Sequence, residues 1–365
     1  MEFSVFSLSM LLFVIFTRQI GVCNTDRNLI SWEDLSIEKY LGKSGSNETD
    51  QGRVIVVSKD GKGDSKTVQG AVDLVPLWSK ERVKIIILPG VYREKVIVPL
   101  NKPYVSFVGN ESSETMISWN SRASDRGPNG QFVGTLSSAS VAIESDYFCA
   151  RGVTFENTAP SPQPGATGMQ AVALRVSGDK AVFFRCRILG SQDTLFDQRG
   201  RHYFHKCYIQ GSIDFIFGNG RSLYQILILT PVMGVLNQGC TLHTTAASYG
   251  AIAASKRNST SENSGFSFLN CRVTGSGIIY LGRAWGRYAR VVYSFCNLDG
   301  IVIPGGWNDW GDPSRRKTVW FGEFKCGGKG ASSIGRVPWA KSLSYEEAKP
   351  FLDKDFIDGD QWLKL

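Results

Sequence analysis

The sequence predicts an all-β protein built as a parallel β-helix, a solenoid closed by short capping helices. Three observations carry this. The segment Cys186-Arg-Ile188-Leu-Gly190 returns 21 residues later as Cys207-Tyr-Ile209-Gln-Gly211, and β-favouring residues precede each copy (Val182, Phe183 and Phe184; Tyr203 and Phe204). A gap-free repeat of this length reads as one coil per copy, with the stacked coils burying a continuous core. Strand-sized apolar runs recur between turns rich in Gly, Ser, Asn and Pro, in a chain of 42% hydrophobic residues with 39 glycines. An amphipathic stretch from Thr67 to Leu77 stands where the solenoid would otherwise end in an open edge.

Taken in order, residues 1–23 read as a secretory signal. The apolar run from Val5 to Phe16 is too short to span a bilayer, and Gly21 and Cys23 are small residues suited to cleavage, although Glu2 stands where a basic residue is usual. Residues 24–52 are polar, with Gly42, Ser44, Gly45 and Ser46, and read as a linker or flexible arm. The β-helix domain spans 53–365. It opens with the buried-strand run Val54-Ile-Val-Val57 and a turn at Asp60-Gly-Lys-Gly-Asp64, followed by the helix at 67–77 with Thr67 as N-cap. A second buried strand, Val83 to Leu88, closes at Pro89-Gly90, and further strands follow at Val96, Val105, Met116, Val141 and Val153. The longest loops, 121–131 and 158–168, are placed to contact substrate. Between Cys207 and Cys240 the spacing grows to 33 residues, and the excess is the apolar segment 226–239, an atypical insert. Ser344-Tyr-Glu-Glu347 is a capping box opening a short helix, after which the tail packs on the side of the coils.

Lys and Arg exceed Asp and Glu by eight, which suits a polyanionic partner: nucleic acid, anionic lipid or an acidic polysaccharide. No run concentrates that charge, so nucleic acid is not expected. Eight cysteines without a C-x-x-C, beside only three histidines, do not form a zinc pattern, and neither metal nor cofactor is expected. Cys186, Cys207, Cys240, Cys271 and Cys296 share a C-x-[ILV] context that places them inside the coils, as free thiols or as disulfide neighbours. Sequons at Asn47, Asn110 and Asn258 are compatible with secretion.

The repeat also carries chemistry. Asp193 and Asp214 each lie seven residues past the cysteine of their copy, so stacking makes them vertical neighbours about 4.8 Å apart. Two carboxylates that close split their pKa values, leaving one anion and one proton holder. Gln192 beside Asp193, and Gln170 about one coil earlier, supply neutral amide donors for an oxyanion. The competing reading is a polar ladder without chemistry. Nucleophile elbow, zinc-protease and nucleotide-loop motifs are missing from the sequence.

With Gln170, Gln192-Asp-Thr-Leu195 and Asp214-Phe-Ile-Phe-Gly218 in place, the sequence resembles the plant pectin methylesterases (pectinesterases). Gly90-Val-Tyr92-Arg-Glu94, Leu281-Gly-Arg283-Ala-Trp285, Pro304-Gly-Gly-Trp307 and Phe321-Gly-Glu323-Phe324 extend the resemblance over nearly the whole mature chain. It implies a right-handed parallel β-helix that removes methyl esters from the galacturonate units of pectin. It further implies Asp214 as nucleophile, Asp193 as acid and base, Gln170 and Gln192 as oxyanion donors, and Arg283 pairing with Asp214. Trp285 and Phe215 are expected to contact the sugar, whereas Tyr92 and Glu94 are expected to be structural. Trp307 and Trp310 stay open between core and sugar platform. The inhibitor-like N-terminal region of many plant members is missing, which resembles the short type. A secreted, cell-wall monomer without membrane contact is expected. Two other readings compete: a β-helical glycosidase or lyase of the same polymer, and a non-catalytic pectin-binding protein disabled by the 226–239 insert.

Overall fold

The computed structural model describes residues 29–36, 53–110, 114–163, 165–225 and 239–365. Its short strands pair in parallel, coil upon coil. An 11-stranded sheet forms one wall, from Val54–Val57 to Lys341–Ser342. A 14-stranded sheet forms the other two, joined where one long strand pairs first with Tyr208–Gly211 and then, further along, with Ile216–Gly218. Three walls around one core make the parallel β-helix that the repeat predicts, with the right hand that the resemblance implies.

Five successive rungs of one wall organise the site: β1 (Leu174–Val176), β2 (Leu195–Asp197), β3 (Ile216–Gly218), β4 (Thr241–Ser255) and β5 (Arg272–Arg283). Leu174 pairs with Leu195, Leu195 with Ile216, Ile216 with Ala253, and Ala253 with Gly282. Strand alternation turns these residues inward. The next residue on each rung faces out, giving a column of Arg175, Phe196, Phe217, Ala254 and Arg283.

The interior explains the cysteines. Five strands of the 11-stranded wall end at a corner residue with left-handed backbone followed by a cysteine: Arg185, Lys206, Asn270, Phe295 and Lys325. The cysteine that follows turns inward. Its thiol donates to a carbonyl one coil back: Cys207 to Phe183 O (3.3 Å), Cys240 to Phe204 O (3.4 Å), Cys271 to Tyr224 O (3.3 Å) and Cys296 to Phe268 O (3.2 Å). All seven described cysteines are free thiols, which settles the choice left open above. Beside them runs a stack of rings, Phe183, Phe204, Tyr224, Phe268 and Tyr293, with centroids 4.6–4.8 Å apart.

A helix at Val68–Asp73 covers one end, N-capped by Thr67. The Glu94 carboxylate accepts from the amides of Val68 (2.8 Å) and Gln69 (2.9 Å), and the Tyr92 hydroxyl donates to Leu88 O (2.9 Å). Both residues of that motif are therefore structural, tying the capping helix to the first coils. At the other end, Ser344 and Glu347 form the expected capping box. The tail then lays Phe351, Phe356, Ile357 and Trp362 over Tyr203, Leu223 and Val292 on the outside of the wall.

One expectation is corrected. Residues 29–36, assigned to a linker or flexible arm, are folded onto the coils. Ile30–Ser31 pairs with Leu363–Lys364, and Leu35 is buried among the tail residues. A two-residue strand leaves no periodicity to read, which is why composition alone marked this stretch as a linker. The signal at 1–23, most of the arm and residues 226–238 of the insert lie outside the described residues.

Candidate active site

Asp193 and Asp214 occupy the same corner of consecutive coils. Both have left-handed backbone, with φ of 61° and 47°, a conformation that aspartate tolerates better than most residues. The corner breaks strand alternation, so each carboxylate faces the cleft while the following residues, Thr194 and Phe215, are fully buried. The coils are tied at this level by Gln192 bridging Ile213 and by the Asp193 amide donating to Ile213 O at 3.0 Å. Gly211 is required here, because a Cβ would collide with Phe215 and the Ser191 carbonyl.

Arg283, from the end of β5, reaches back across two coils to Asp214. Its Nε donates to Oδ1 at 2.8 Å and its Nη2 to Oδ2, so both carboxylate oxygens are held. The guanidinium also lies 4.0 Å from the centre of the Trp310 ring. The two acids differ accordingly. Burial, then the charge of Asp214, lift Asp193 well above the ordinary carboxylate value, and Arg283 offsets this only in part. Burial also raises Asp214, against the hydrogen bonds and charge of Arg283. At Asp214 burial outweighs the arginine, and the net shift is upward. The ranking within the pair still leaves Asp193 as proton holder.

Gln170 and Gln192 flank the pair, half-buried. Their backbone carbonyls are engaged, by the amides of Ala123 (2.8 Å) and Ala171 (3.0 Å), whereas their side-chain amides make no hydrogen bond among the described residues. Trp285 lies beyond Arg283, packed against Phe217 (6.0 Å) and Trp310 (6.5 Å). Phe196 stacks on Phe217 at 4.4 Å. Together these rings form an aromatic shelf beside the acids. Phe215 is not part of it: the ring is 0% exposed in the central core. The corner at Asp214 sends it inward, and Phe217 is the residue that faces the cleft. Trp310 belongs to the shelf, whereas Trp307 is buried with its Nε1 on Glu323 (3.2 Å). Phe196 was missed, although one coil length subtracted from Phe217 points to it.

Among the described residues no group of His, Cys, Asp and Glu could hold a metal ion, and no helix is long and apolar enough to cross a membrane.

A parallel β-helix with stacked carboxylates, one braced by arginine, in an aromatic cleft defines a class: enzymes that act on extended polysaccharides. The pectinesterase family model matches residues 54–360. Pectinesterase QRT1 of Arabidopsis thaliana is 54% identical over 367 residues, covering 95% of this chain and 93% of that protein. The structure of pectin methylesterase from carrot superposes with a TM-score of 0.75 at 35% identity, covering 87% of this chain and 97% of that one. Pectin methylesterase PemA from Erwinia chrysanthemi, at 23% identity, shares the fold with a TM-score of 0.68. The chain belongs to the pectinesterase family. It is a carboxylic-ester hydrolase of pectin.

Proposed function

We propose that the chain hydrolyses galacturonate methyl esters in cell-wall pectin through Asp214 as nucleophile and Asp193 as acid and base. Asp214, held ionised and aimed by Arg283, attacks the ester carbonyl carbon with one oxygen. The carbonyl oxygen takes the negative charge, and the amides of Gln170 and Gln192 donate to it. As the tetrahedral centre collapses, the C–O bond to the methoxy group breaks and Asp193 gives its proton, releasing methanol. The product is an anhydride between Asp214 and the sugar. Asp193, now anionic, takes a proton from water, and the hydroxide attacks the sugar carbonyl. Asp214 leaves as carboxylate, Asp193 is protonated again, and the polymer keeps a free acid.

The observation supporting this is the asymmetry of the pair: equivalent corners of adjacent coils, with arginine on one carboxylate only. Two acids this close also suit a retaining glycosidase, but the two uncommitted amides favour acyl chemistry. Phe217, Trp285 and Trp310 line the sugar site. A secreted monomer working in the cell wall fits the signal sequence and the basic surface. The test is methanol release from methylated pectin by Asp214→Asn. A loss of at least about a thousandfold is expected with the fold intact by circular dichroism; a near wild-type rate would remove Asp214 as nucleophile.

A further inference from the structure

The cleft continues beyond Arg283 along the same wall. Lys256 directly follows β4, and its amide donates to Gly218 O at 2.7 Å, which places it two residues past Ala254 on the outward face. Its ammonium lies 4.8 Å from the centre of the Trp285 ring, on the shelf that Trp285 shares with Phe217 and Trp310. The side chain is exposed and pairs with no carboxylate among the described residues. Its neighbours are committed. Arg283 holds Asp214, Arg257 holds the carbonyls of Glu262 and Thr260, and Arg315 holds Asp312 and the carbonyl of Trp285. The nearby Glu262 carboxylate accepts from Asn219 and from the amide of Asn258. An ammonium is thus held at an aromatic shelf with no protein anion to answer it.

Ser255 pairs with Gly218, so Lys256 is level with Asn219, and strand rise and coil spacing put it on the order of 15 Å along the backbone from Asp214, beyond reach of the reacting ester. We propose that Lys256 is a specificity residue that reads a free carboxylate on a neighbouring sugar, favouring esters that border de-esterified units. A methyl ester is neutral and gains nothing from the ammonium, whereas its hydrolysis product is an anion. This rests on the pectin methylesterase reading above.

The test compares kcat/KM for methanol release from highly methylated and from partly de-esterified pectin. The proteins are the wild type, Lys256→Gln, Lys256→Glu and, as a surface control, Lys80→Gln. In Lys256→Gln the preference for the partly de-esterified polymer is expected to fall about threefold, the size of one exposed ion pair. The change should lie in KM, and Lys256→Glu should fall further. Raising the salt should erase the wild-type preference and leave Lys256→Gln flat. A Lys256→Gln ratio equal to that of the wild type, or an equal shift in Lys80→Gln, overturns the proposal. Wild-type protein that releases no methanol from either polymer would instead overturn the functional reading itself.

Discussion

Asp193 and Asp214 are the same residue type at the same corner, and what separates them is which one the arginine touches. Productive attack needs Asp214 ionised and Asp193 protonated. Both carboxyls titrate above the ordinary value, Asp193 by more. As pH falls through the raised value of Asp214 the nucleophile is lost, and as pH rises through that of Asp193 the acid is lost. The expected kcat/KM profile is a bell whose acidic limb lies above about pH 4, the ordinary aspartate value, with both limbs belonging to the coupled pair. A profile flat from pH 4 to 8 would contradict the assignment. Elsewhere in the coils His202 is fully buried with Nδ1 at 2.6 Å from Asp197 Oδ1 and Nε2 at 2.8 Å from Gly178 O. Both ring nitrogens face acceptors, so the ring is an imidazolium. Burial lowers its pKa, but Asp197 outweighs that and the net shift is upward. The ion pair therefore contributes fully below pH ~6.5 and is lost as pH rises through the folded value. His202→Gln strands the Asp197 carboxylate with only Tyr224 donating to its other oxygen (2.6 Å). Urea unfolding at pH 6 should show a loss of about 3–5 kcal/mol; unchanged stability there would mean the ring is neutral.

At the scale of elements, the N-terminal clasp is the feature that sequence reading could not supply. Asp34 pairs with Arg82 at 3.0 Å, Lys84 donates to Glu33 O at 2.6 Å, and Trp32 sets its edge against Phe184 (4.9 Å) and His205 (5.9 Å). His205 lies beneath, and the Tyr203 hydroxyl donates to its Nδ1 at 3.0 Å while accepting from Gln225 at 2.9 Å. Burial, with Lys206 and Arg185 nearby, lowers its pKa to about 4. An unfolded histidine binds its proton near pH 6.5, so between those values the unfolded state holds more protons and stability falls as pH drops. Replacing His205 by Phe should flatten the acidic side of a plot of melting temperature against pH. Parallel slopes for variant and wild type would show that the clasp does not sense protons through this ring. The contrast with the site is instructive. A coil-length repeat marked Asp193 and Asp214 because parallel stacking converts sequence period into spatial contact. The clasp joins residues over 300 apart (Ile30 to Leu363), and no local pattern records such a meeting. Phe215 misled for a related reason: period-two alternation fails at a left-handed corner, and only the backbone says where the corner is.

For the molecule as a whole, the question is how a regular solenoid accommodates the 226–239 insert. In other coils the strand of the 11-stranded wall is followed by one corner residue and then the inward cysteine: Phe184, Arg185, Cys186; His205, Lys206, Cys207; Leu269, Asn270, Cys271. In the interrupted coil Gln225 pairs with His205 in ordinary register and accepts from the Lys206 amide at 3.2 Å. On the far side Gly239 donates to Asn270 O at 2.9 Å, and Cys240 takes its place in the thiol ladder. Both flanks thus stay tied to their neighbouring coils, with Gly239 bonded to the corner residue Asn270, one residue past the strand-end carbonyl that the corner amides of Arg185, Lys206 and Asn270 use (His205, Gln225 and Ser294). Deleting 226–238 would join Gln225 to Gly239 and Cys240, the same arrangement found in the neighbouring coils. Fixing the two ends of a chain segment of about 14 residues costs on the order of 2 kcal/mol by (3/2)RT ln n, a cost the deletion removes. The shortened protein should therefore melt no lower than the full chain and release methanol at a comparable rate. A deletion that unfolds the protein, or abolishes methanol release with the fold intact, would mean that these residues help hold the coil next to Asp214. The competing account, a binding protein disabled by its insert, requires the opposite pattern: a silent full-length chain and methanol release regained on deletion.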